Sequence, residues 1–111
     1  MIKVMFDYFE NVDFSVTVCD KDGVVLYQNA VARERDGDVV GKNLYGCHGK
    51  KSAEMIRHMM KTGASNTYEV VRDGKRRLIH HTPWFEKPAD AVAGLIEITM
   101  DLPDNYMVIK K

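Results

Sequence analysis

Apolar residues in this chain recur with two different periods, and the changes of period mark where one element gives way to the next. Ile2, Met5, Phe6 and Phe9 stand at helical spacing with Lys3, Asp7 and Glu10 between them, which predicts a short amphipathic helix. From Phe14 to Cys19 the period drops to two: Phe14, Val16 and Val18 alternate with Ser15, Thr17 and Cys19, the pattern of a half-buried strand. Asp20-Lys21-Asp22-Gly23 is a turn, and Val24 to Gln28 is rich enough in β-branched and aromatic residues to be the returning strand. Asn29 suits the N-cap of a short helical turn over Ala30 to Arg35, which Asp36-Gly37-Asp38 breaks. Val39 to Lys50 keeps no clean period and predicts loops and single turns. Over Ser52 to Thr62 the helical period returns. Ala53, Met55, Ile56, Met59, Met60 and Gly63 form one face, and Glu54, Arg57, His58 and Lys61 form the other. Asn66 to Arg72 and Lys75 to Phe85 flank Asp73-Gly74, a hairpin signal. After a loop over Glu86 to Asp90, Val92 to Met100 closes the series as a strand. Gly94, Ile96, Ile98 and Met100 lie on one of its faces, Glu97 and Thr99 on the other.

Helix, two strands, short helices, a longer helix and three strands are most simply satisfied by an α+β fold, a five-stranded antiparallel sheet with helices on one face. The organisation expected is an N-terminal helix over residues 1–11, a domain over 12–102 and a tail over 103–111. A length of 111 residues suits one domain. Sixteen basic and sixteen acidic side chains give no net charge, so no basic field is expected to steer the chain to nucleic acid or to an anionic membrane. No apolar run reaches the roughly 18 residues of a membrane span, and the acids in MIKVMFDYFENVD do not suit a secretory signal. Cys19 and Cys47 read as free thiols of a cytoplasmic protein.

Several short motifs, taken in order, resemble a PAS domain, the small sensory and interaction module of signalling proteins. They are Asp20-x-x-Gly23 with Val24-Val25, Asn29-x-Val31, Gly41-Lys42-Asn43-Leu44, the Ser52 to Thr62 helix, and the closing Glu97-Ile98-Thr99-Met100-Asp101, together spanning about residues 12 to 101. Gly41 to His48 followed by Ser52-Ala53-Glu54 is similar to a subgroup with a Cys-His before the long helix, although Gly49 stands where that subgroup carries proline. The family often continues into an output helix. Pro103 stands against one here, which implies a module without an output domain in this chain.

The resemblance implies a ligand cleft between sheet and helices, and the chain offers candidates for its lining. Tyr45, Cys47 and His48 precede the long helix. His48 is the candidate axial ligand if the cofactor is heme b, since one imidazole can hold heme iron; the plainer role is a helix-capping histidine. His58 falls on the polar face and should be solvated. His80 and His81 are adjacent in a strand and point to opposite faces, so one of them faces the cleft, beside Trp84 or Phe85. Met55, Ile56, Met59 and Met60 line the cleft or fill the core, and Ile96 is expected on the inward face. Cys47 beside His48 does not make a nucleophile and base, the cysteines and histidines lack zinc spacing, and Lys75-Arg76-Arg77 reads as a solvated strand end. With no Asp or Glu expected on an inward face, catalysis by a buried acid–base pair is set aside. The function expected is a stand-alone sensory domain that binds a small molecule or cofactor and signals through a partner protein. The alternative is a ligand-free interaction or dimerisation module. Ile2, Met5, Phe6 and Phe9 would form a homodimer contact, and neither nucleic acid nor membrane is expected as a partner.

Overall fold

In the computed structural model, which describes residues 7–44, 50–86 and 91–111, five antiparallel strands form one sheet. Strand β1 covers Ser15–Asp20, β2 Val25–Gln28, β3 Asn66–Arg72, β4 Lys75–Glu86 and β5 Ala91–Leu102; helix α1 covers Ala30–Asp36 and α2 Lys50–Thr62. The order across the sheet is β2-β1-β5-β4-β3, so β5, last in sequence, lies at the centre between β1 and β4. This is the α+β architecture that the alternation predicts.

The turns form where the sequence signals them. Asp20 turns its carboxylate back to accept from the backbone N–H of Asp22 and Val24, and Gly23 takes the φ of 85° that lets β2 return beside β1. Asp73 and Gly74 both have positive φ, 53° and 74°, which a two-residue hairpin turn of the right twist requires. Asn29 caps α1 by accepting from the Ala32 N–H, and Gly63, with φ 75°, stops α2. Helix α2 starts two residues earlier and β5 runs longer at both ends than the pattern predicts.

Register decides which side of the sheet is which. Ser15, Thr17 and Cys19 of β1 oppose Thr99, Glu97 and Leu95 of β5, which in turn oppose Ile79, His81 and Pro83 of β4. Partners in a ladder share a face, and α2 covers this one: Ile56 and Met59 join Cys19 and Leu95 in a buried cluster, with Leu44, Met55 and Met60 packed against it. Val16, Val18, Ile96, Ile98 and His80 occupy the opposite face. Val16 and Val18 are buried there as well, so both faces of the central strands carry buried apolar residues. The expectation that Ile96 faces inward is therefore corrected.

Candidate functional site

Between the inner face of the sheet and α2 lies a cavity of about 320 Å³. Cys19, Leu95 and Ile56 supply apolar walls, while Thr17, Gln28, His81 and Glu97 bring polar groups to it. That combination of an apolar wall and a few converging polar groups is the usual make-up of a small-molecule site. Gln28 frames one side: its amide accepts from the Val39 N–H and donates to the Gly37 carbonyl, fixing the segment after α1 against β2.

The main polar feature is a pair that the sheet register creates. His81 and Glu97 are directly opposed on β4 and β5, and the His81 Nε2 to Glu97 Oε2 distance is 2.6 Å. His81 is 5% exposed, and its Nδ1 is buried with no hydrogen bond among the described residues. The Tyr68 ring lies beside it, with centroids 5.8 Å apart. Burial, and then the charge of Glu97, raises the Tyr68 hydroxyl above its ordinary pKa. Burial also pushes the Cys19 thiol up to about 11, so it lines the cavity as a neutral group.

Of the residues singled out from the sequence, Ile56 and His81 line this cavity. Met59 is closed into the core beside it, and Met55 and Met60 pack against that core, the Met55 sulfur accepting from the Asn66 amide. His80 turns to the opposite face, where its Nδ1 is 2.6 Å from the Thr67 hydroxyl. Trp84 is corrected along with Ile96. Its indole N–H donates to the Cys19 carbonyl across Gly94, on the side of the sheet away from the cavity. His58 is exposed. Tyr45, Cys47 and His48, the candidate heme ligand among them, lie outside the described residues, as do Ile2, Met5 and Phe6; Phe9 is described and half exposed. The inward carboxylate of Glu97 overturns the expectation that no acid faces the cavity. Leu95, Glu97 and Thr99 are visible as one set in the alternation. No feature of the sequence tells which set turns inward, because Ile96 and Ile98 are the more apolar and would be chosen first.

Among the described residues, no three His, Cys, Asp or Glu side chains are grouped to hold a metal ion, and no helix is long and apolar enough to cross a membrane. No family model matches the chain, and no curated protein matches it in sequence.

Solved structures do share its fold. VqmA of Vibrio cholerae superposes with a TM-score of 0.72 at 19% identity over 94% of this chain and 52% of its own. The PAS domain of the histidine kinase ThkA does so with 0.66 at 15% identity, over 79% of this chain and 98% of that domain. An RNA-binding light-oxygen-voltage receptor gives 0.66 at 17% identity, over 91% of this chain and 32% of the receptor. The chain thus spans about half the length of VqmA, a protein also solved with its ligand and DNA together. These neighbours correct the expectation that nucleic acid is excluded as a partner. The fold occurs within proteins that bind DNA or RNA, and the balanced charge of one domain describes only that domain's own field. With β5 between β1 and β4, α2 laid over the inner face and these structures superposing on it, the chain has a PAS-like fold.

Proposed function

We propose that this PAS-like domain is a sensory module that binds a small organic molecule between sheet and α2 and passes on the bound state through protein contacts rather than by catalysis. The observation that carries the reading is the cavity of about 320 Å³, with apolar walls and the His81–Glu97 pair converging on it. Its volume sits at the lower end of the range for ligand pockets, about 300 to 1,000 Å³. Support also comes from VqmA, solved bound to DPO and described as a dimer. Homodimerisation through the N-terminal segment carrying Phe9 belongs to the same reading. Light scattering should return a two-chain mass at tens of micromolar protein and a one-chain mass when residues 1–10 are deleted.

Binding is tested by thermal shift against a panel of small organic molecules that includes DPO, together with mass spectrometry of what the denatured protein releases. A ligand at a hundred times its Kd stabilises by about 2.7 kcal/mol, which for a domain of this size raises the melting temperature by roughly 10 °C. Ile56→Trp, which fills the cavity from α2, should abolish that shift while the far-ultraviolet spectrum stays unchanged. A protein that releases nothing and shifts with nothing acts through its surface instead, as an interaction module.

A further inference from the structure

Among the described residues, the ring of His81 is hydrogen-bonded through one nitrogen only. Nε2 faces the Glu97 carboxylate at 2.6 Å, and a carboxylate accepts, so the proton of a neutral imidazole belongs on Nε2. Nδ1 is then a bare acceptor. It is buried, it has no hydrogen bond among the described residues, and the ring that carries it lines the cavity. A buried acceptor without a donor is costly, and native proteins rarely leave one so. Among the described residues no group relieves it, and Tyr68 approaches as a ring at 5.8 Å between centroids.

We propose that His81 Nδ1 is the recognition point of the cavity, and that the ligand is a small molecule presenting an N–H or O–H donor to it. The inference rests on the cavity being a ligand site and adds the chemical class. Glu97 acts as a positioning residue: it fixes the tautomer and thereby makes Nδ1 an acceptor. Such a site discriminates by what it leaves unpaired. A ligand lacking the donor seals Nδ1 from every partner, whereas one bearing it completes the imidazole's hydrogen bonding.

The test uses matched fragments that differ only in the donor: phenol and anisole, indole and 1-methylindole, 2-pyridone and 1-methyl-2-pyridone. Each is titrated at millimolar concentration into the full chain and followed by the imidazole nitrogen resonances. In the free protein the His81 signals should report a protonated Nε2 and a bare Nδ1. The donor member of at least one pair should bind tenfold or more tightly than its methylated partner and move the Nδ1 resonance. His81→Phe should bring the two members within about twofold. Should that variant fail to fold, Glu97→Gln, which keeps a polar partner but no longer dictates the tautomer, should narrow the same ratio. A proton found on Nδ1 in the free protein overturns the donor class. Pairs that bind equally well without moving Nδ1 overturn the role of His81 while the cavity stands as a site. If no fragment binds at all, the ligand-site reading falls and takes this inference with it.

Discussion

Asn29 is fully buried, and every hydrogen-bonding position of its amide is used. Its Oδ1 accepts from the backbone N–H of Val16 on β1 and of Ala32 in α1, each at 3.0 Å. Its Nδ2 donates to the carbonyls of Phe9 and Phe14, each at 2.8 Å. One side chain thus ties the N-terminal segment, the start of β1 and the cap of α1 to one point. Asn29→Ala removes four hydrogen bonds worth about 1 kcal/mol each, and the lost helix cap, about 0.5 to 2 kcal/mol by itself, is contained in that sum. A loss of about 3 to 5 kcal/mol follows, a large share of what holds a small domain together. Urea unfolding followed by fluorescence of Trp84, the sole tryptophan, and by circular dichroism should show the midpoint falling by roughly 2 M at an m-value near 2 kcal/mol/M. Asn29→Asp is the sharper perturbation, since it preserves shape and Oδ1 but turns an oxygen toward two carbonyls. At pH 7 it should be at least as damaging as alanine. Its carboxyl pKa is then raised in the folded state, so the variant should recover relative to the parent as pH falls toward 4, once protonation restores a donor. A loss below about 1 kcal/mol for alanine, or an aspartate variant as stable as the parent at pH 7, would refute the account.

Three further outcomes follow from particular contacts. At Gly94 a Cβ would stand 1.9 Å from the Cys19 carbonyl oxygen and 2.5 Å from the Trp84 indole nitrogen, so Gly94→Ala must push β1 and β5 apart. It should cost about 3 kcal/mol or more in urea unfolding, at the upper end of overpacking, and a change within about 0.5 kcal/mol would show that the strands yield freely. Burial raises Cys19 from 9.0 to about 11, which favours the neutral thiol in the folded state. Its contribution is therefore present below pH 9 and lost as pH rises toward 11. In a Cys47→Ser background the native protein at pH 8 should resist Ellman's reagent and react only on unfolding; rapid stoichiometric labelling would contradict that. Residues 103–111 form no regular element and are exposed, Tyr106 bonding to the exposed Arg76, so truncation after Leu102 should move the melting temperature by a few degrees at most. A fall of about 10 °C, some 2 kcal/mol or more, would mean the tail is structural.

Local chemistry in the sequence determined the elements and their turns. Asp20 with Gly23, Asp73 with Gly74, Asn29 at its cap and Gly63 at its stop each act within a few residues of themselves, so their effect can be read without knowing what lies across the sheet. The Met55 to Met60 face of α2 likewise needed only the helical period to declare itself. What the sheet presents to α2 was decided elsewhere. β1, β4 and β5 carry apolar residues on both faces, and alternation divides a strand's side chains into two sets without saying which set turns inward. That choice is made by the pairing of β5 with strands some 15 and 80 residues away in sequence, which sets Glu97 against His81 and Thr17 and sends Ile96 outward with Val18. An acid and a histidine sixteen residues apart carry no local mark of partnership. They become a pair only when a long-range register brings them together in a buried setting, where a hydrogen bond is strong and an unpaired nitrogen is costly.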